Sequence, residues 1–163
     1  IDQIEEYAGK ADIIRYELLK RFGGFYADAD SRALKPLEDY FFERDSFAVF
    51  ENETVRGNLV ANGYIGATKN NELMTMLVNG ISKKKVSQKE TGLMAWQTVG
   101  PMYFTETIMQ HSYSKIDIFP SWIFIPKHYT GATTLPSDET PICEQYWGST
   151  RELSDPEFYN KLT

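Results

Sequence analysis

Two aspartates one residue apart, Asp28 and Asp30, carry the most pointed chemistry in this chain of 163 residues. Side chains two apart on extended backbone project to the same side, and Ala29 between them is small. A pair of carboxylates placed this way suits a hard cation such as Mg²⁺ or Mn²⁺, which takes oxygen ligands and keeps positions open for water and phosphate. Such an ion neutralises a departing phosphate group. An acidic pair also commonly caps or solvates a turn, so the surrounding residues must decide between the two readings.

Upstream, Asp12 and Arg15 stand three residues apart and share a face of a helix. A carboxylate there accepts sugar hydroxyls and a guanidinium donates to hydroxyls or phosphate, while the plain alternative is a surface ion pair. Downstream, Asn62-Gly63 reads either as a turn entering a buried strand or as a polar group beside a place of close approach.

Taken together, Asp12 and Arg15 on a helix, Gly23-Gly24, the strand Phe25-Tyr26-Ala27 and the Asp28-Ala29-Asp30 triplet resemble the D-x-D glycosyltransferases of family 32. Asn62-Gly63-Tyr64-Ile65-Gly66-Ala67 is similar to a later strand of that family, and Thr98-Val99-Gly100-Pro101 to its T-G-P segment with one residue inserted. The resemblance implies an α/β fold of the GT-A type that binds nucleotide-diphospho-sugars. It also implies a UDP- or GDP-sugar donor, Mn²⁺ or Mg²⁺, a glycan or other hydroxyl acceptor, and retention of anomeric configuration.

In the same resemblance Asp12, Arg15, Asn62, Gly63 and Trp147 belong to the donor site. Asp28 contacts the sugar or ribose and reaches the metal through water, and Asp30 is the direct ligand. Gln145 occupies a position where the family commonly has a metal-binding His, with Glu144 or Ser149 as substitutes, and Trp147 keeps its place. Asp28 and Asp30 are therefore the expected catalytic pair, with Gln145 and Ser149 completing the metal set. Residues 1–163 read as a single transferase domain lacking the N-terminal nucleotide-binding portion.

Two competing readings remain. In a haloacid-dehalogenase-like phosphatase Asp28 would be the nucleophile and Asp30 the acid, but Arg32 stands where that pattern wants Thr or Val. In a non-catalytic carbohydrate-binding domain of transferase descent, the Gln145 substitution would be explained by lost chemistry.

The elements that must hold these residues can be read from periodicity. Ile4, Tyr7, Ala8, Ala11, Ile14, Leu18 and Phe22 recur at helical steps and predict one buried stripe, ended by Gly23-Gly24. Further helices are expected over about 36–42, 71–81, 101–111 and 155–162, strands over 47–50, 63–67, 116–119 and 122–125, and a polar loop over 83–89. His111 and His128 lie outside every matched segment and are expected to be structural; Glu51 and Glu53 are the acidic residues nearest the motif strands.

Composition agrees with a folded domain: 42% hydrophobic, 25% charged and 14% aromatic residues exclude disorder and fibrous repeats. Seventeen basic against twenty-three acidic residues, a net charge of −6, offer no general grip on nucleic acid. The lone Cys143 can close no internal disulfide, and no apolar run has the length of a transmembrane span. With no export signal in view, a cytoplasmic location is the expectation.

Overall fold

A computed structural model describes residues 3–148 and residue 150. Helix α1 (Tyr7–Phe22) runs into strand β1 (Gly24–Ala27), and β2 (Ser31–Ala33) follows the acidic triplet. A 3-10 turn at Asp39–Glu43 precedes β3 (Ser46–Phe50), the short helix α2 (Glu53–Arg56) and the long strand β4 (Val60–Ala67). Helices α3 (Glu72–Ile81), α4 (Gln88–Thr91), α5 (Ala95–Thr98) and α6 (Pro101–Gln110) come next, then β5 (Asp117–Phe119), a 3-10 turn at Ser121–Ile123 and β6 (Cys143–Gln145).

The fold is mixed α/β. Its main sheet has the order β1-β4-β3-β5, with β4 antiparallel to both neighbours and β5 parallel to β3; β2 and β6 form a separate antiparallel pair. On one face of the sheet, Tyr16, Leu19, Ala48, Ile65, Leu73, Leu77 and Phe104 form the core beneath α1, α3 and α6. On the other face Phe41, Phe47, Val49, Tyr64, Phe124 and Ile142 stack under loops. The alternation of Phe47, Ala48 and Val49 between the two cores is what a strand with side chains on opposite faces produces.

One irregularity matters for the site. Ala48 pairs with Ile65 but Val49 pairs with Ala61, so Asn62, Gly63 and Tyr64 bulge out of register with β3. Bulges re-aim side chains next to functional sites, and this one turns Asn62 toward α1 and brings Gly63 against the end of β1.

Several sequence expectations need correction. The buried face of α1 is not the apolar stripe: Asp12, Ile13, Arg15, Tyr16 and Leu19 face inward, whereas Tyr7, Ile14, Leu18 and Phe22 are exposed, Tyr7 at 87%. A buried polar network, described below, outweighs the apolar periodicity. The helix expected over 36–42 is only the 3-10 turn at Asp39–Glu43, and the strand expected over 122–125 is a 3-10 turn, because Ser121 binds Glu53 and directs the chain into a turn rather than a ladder. The polar loop over 83–89 already contains the start of α4, and β4 begins at Val60 rather than at Gly63. Short β2 and β6, three residues each, carry no periodic signal. The expected helix over 155–162 lies outside the described residues.

Among the described residues no helix is long and apolar enough to cross a membrane. Cys143 is a buried thiol donating to the Phe124 carbonyl, its pKa pushed up to about 11 by burial.

Candidate active site

Strand β1 ends at Ala27, and the next backbone N–H, that of Asp28, donates to the Gly63 carbonyl on β4. Asp28 is thereby fixed over the bulge. A Cβ at position 63 would overlap Asp28 Oδ2, so glycine leaves the room in which the aspartate takes this position. Sequence reasoning reserved that space for a ligand; the structure gives it to Asp28.

Arg15 anchors the other side. Its Nη2 donates to Asp28 Oδ1 at 2.8 Å, its Nη1 to the Asn62 carbonyl at 2.6 Å, and its guanidinium lies 4.5 Å over the Tyr26 ring. Asn62 Nδ2 donates to Asp12 Oδ1 at 2.7 Å and to the Tyr16 hydroxyl, which itself donates to the Val99 carbonyl. Asp12 and Arg15 are 6% and 4% exposed, so they form an internal scaffold and not a surface ion pair. Burial raises the Asp12 pKa to about 6, with Arg15 and Asn62 acting in the opposite direction. Burial also raises that of Asp28, the Arg15 guanidinium pulling it partway back.

Asp30 has a different environment. Its Oδ1 accepts from Gln145 Nε2 at 2.8 Å, its Oδ2 from the Gly148 N–H at 2.6 Å, and its carbonyl from the Tyr146 N–H. Pairing of β2 with β6 brings these groups together, with Ser31 opposite Gln145. The Gln145 carbonyl accepts from Ser31 Oγ at 3.0 Å and from the Tyr64 hydroxyl at 2.5 Å. The amide thus turns its nitrogen, not its oxygen, toward Asp30. Trp147 adopts a φ of 60° and donates from Nε1 to the Lys127 carbonyl. A left-handed tryptophan is uncommon, and here the bonds on either side of it hold the backbone in place. Ser149 lies outside the described residues.

His128, set aside on sequence grounds, is fully buried within this wall. Its ring is 5.1 Å from that of Trp147 and its Nε2 is 3.3 Å from Glu51 Oε1. No motif surrounds it; only the fold brings residue 128 to residues 51 and 147.

For a divalent ion, the donor set is two carboxylates. No third Asp, Glu, His or Cys completes a group of three among the described residues. Mg²⁺-like ions commonly use one or two carboxylates and take the rest from phosphates and water. Each Asp30 oxygen accepts one protein hydrogen bond and retains a further lone pair. Arg15 takes Asp28 Oδ1, so the oxygens left for a cation are those of Asp30 and Asp28 Oδ2.

Comparison with known proteins gives a family match and several matches among solved structures. The model of a family described as "Capsular polysaccharide synthesis protein" matches residues 2–91, which include Asp12, Arg15, Asp28, Asp30, Asn62 and Gly63. Among solved structures, a chain titled "PaToxG Glycosyltransferase" superposes with a TM-score of 0.48 at 23% identity, over 64% of this chain. The match spans 35% of that structure's length. No curated protein matches.

Proposed function

The chain belongs to the capsular polysaccharide synthesis protein family, and from that premise we propose that it is a GT-A-type glycosyltransferase. In this reading it moves a hexose from a UDP- or GDP-sugar to a hydroxyl of a growing glycan, with retention of configuration. The observation that carries the reading is the setting of Asp28: locked by Arg15, cleared by Gly63, and one residue from Asp30 at the mouth of the β1–β4 pair.

Asp30 and Asp28 are the residues that would hold Mn²⁺ or Mg²⁺, which when bound supplies neutralising charge to the leaving diphosphate. The chain's own groups do the positioning. Arg15 holds one Asp28 oxygen against helix α1 and opposes the effect of burial on its charge, and Asn62 is held by Asp12 and Tyr16 so that its side chain cannot swing. Gln145 and Gly148 bind the Trp147 segment to Asp30, so that Trp147 forms one wall beside the carboxylates.

Hydrolysis of UDP- and GDP-hexoses with Mn²⁺ tests the proposal. Turnover that is lost on chelation and falls at least tenfold in Asp30→Ala is the expected result; a product of inverted configuration would remove the retaining assignment.

A second reading draws support from one observation, the donation of Gln145 and Gly148 N–H groups to Asp30. They could satisfy that carboxylate permanently in a carbohydrate-binding domain without chemistry. Glycan binding indifferent to Mn²⁺, with no donor turnover, is the outcome that reading requires.

A further inference from the structure

The register bulge of β4 reaches both aspartates, Asp28 directly through Gly63 and Asp30 at one remove through Tyr64. Tyr64 is 1% exposed, with its ring stacked 5.3 Å from that of Phe124. Its hydroxyl donates to Gln145 Oε1 at 2.5 Å and lies 2.7 Å from Ser31 Oγ, which donates to the same carbonyl at 3.0 Å. The other end of that amide, Nε2, donates to Asp30 Oδ1 at 2.8 Å.

The neighbours of the amide dictate which way round it stands. An ionised carboxylate accepts and never donates, so the end that faces Asp30 must be the NH₂ group. Two hydroxyl protons converge on the opposite end, where a carbonyl oxygen with its two lone pairs takes both. Because β2 and β6 set Ser31 directly opposite Gln145, the consecutive residues Asp30 and Ser31 clasp the two ends of one side chain. Turning the amide over would face its oxygen to a carboxylate and deprive the buried Tyr64 proton of its carbonyl acceptor, an unfavourable exchange.

We infer that Tyr64, assisted by Ser31, is a positioning residue that fixes Gln145 as a hydrogen-bond donor to Asp30 and withholds its carbonyl from a cation bound there. Hard cations take oxygen ligands, so an amide can join one only by the end that these hydroxyls hold. Packing against Phe124 needs no more than the ring. The Tyr64 hydroxyl instead reaches the one side chain that, among the described residues, hydrogen-bonds to the Asp30 carboxylate. The inference rests on the transferase reading for the ion alone; the orientation of the amide is independent of it.

Two measurements on the whole chain test the two parts. In metal-free protein, NMR follows the side-chain NH₂ protons of Gln145. Tyr64→Phe, which keeps the ring, speeds their exchange with solvent by about two- to tenfold, the worth of one net hydrogen bond. Calorimetry then reads Mn²⁺ binding in the presence of UDP or GDP. Tyr64→Phe binds the ion more tightly than the native protein by a similar factor, since the carbonyl is freed to turn toward it, and the gain disappears when Gln145→Ala is added. A merely structural role for Tyr64 would weaken binding, or change it equally with and without Gln145. Ser31→Ala repeats both measurements from the other hydroxyl should Tyr64→Phe fold poorly. Unchanged NH₂ exchange in both variants overturns the inference. So does a native protein that binds the ion while its variants bind it no more tightly, or gain equally in the Gln145→Ala background. Faster exchange with no ion or nucleotide bound by native protein or variants would retain the clasp on Gln145 and overturn the transferase.

Discussion

Gly63 lies directly beneath the Asp28 carboxylate, so closely that the smallest side chain would meet Asp28 Oδ2. Gly66, three residues on, is similarly crowded, but by the Phe47 ring. Two glycines of one strand are thus needed for different reasons, and the same substitution separates them. Gly63→Ala should displace Asp28 and weaken Mn²⁺-dependent nucleotide binding at least tenfold in calorimetry. Gly66→Ala should cost about 1–3 kcal/mol of stability by overpacking, read from urea midpoints, while leaving nucleotide binding near the native value.

Arg15 satisfies Asp28 and the Asn62 carbonyl at once from a buried position. Removing it in Arg15→Gln leaves a desolvated carboxylate without its cation, a loss of about 3 kcal/mol or more in equilibrium unfolding. Adding Asp28→Asn to that variant should recover part of the loss. Strictly additive effects of the two changes would show that the pair is uncoupled.

Asp12 gives a pH signature. Its pKa rises from 3.8 to about 6 on folding, chiefly through burial. Between those values the folded state holds the proton more tightly than the unfolded one. The contribution is therefore full below about pH 4 and lost as pH rises through 6, with an upper bound of about 3 kcal/mol. The difference in unfolding free energy between native protein and Asp12→Asn should fall across pH 4–6 and flatten above it; a difference constant in pH would remove the assignment.

Gln145 offers its nitrogen to Asp30. Gln145→Glu replaces that donor by a second negative charge, so the variant should unfold at a lower temperature than the native protein in chelator. Mn²⁺ should then raise its Tm by more than it raises that of the native protein. Equal shifts in both would show that residue 145 does not feel the ion.

Leu18 and Leu19 separate pattern from packing. Leu18 belongs to the apolar stripe read from the sequence yet is 45% exposed, whereas Leu19 is 3% exposed in the core. Leu18→Ser should change stability by about 0.5 kcal/mol or less, and Leu19→Ala should cost about 2–5 kcal/mol, both measurable by urea unfolding.

How far the sequence could be read follows from these residues. The helix at 7–22, the strand before Asp28 and the strand ending in Ala67 were legible because Gly-Gly, short apolar runs and helical spacing are local signals. The inward face of α1 was not, because an apolar stripe predicts burial only when nothing else competes for the interior. Here Asp12, Arg15 and Tyr16 occupy it by satisfying one another and Asn62.

What the sequence determined by itself is the chemistry on offer: two aspartates at a strand end, an Asp and an Arg on one helix turn, an Asn-Gly downstream, and no general means of gripping nucleic acid. Tertiary structure decided what each group faces. It gave the space above Gly63 to Asp28, turned Gln145 by its amide nitrogen toward Asp30, set His128 against Trp147 and stacked Arg56 on Trp96. Those outcomes depend on contacts between residues 19 to 115 positions apart, which leave no local periodicity in the chain.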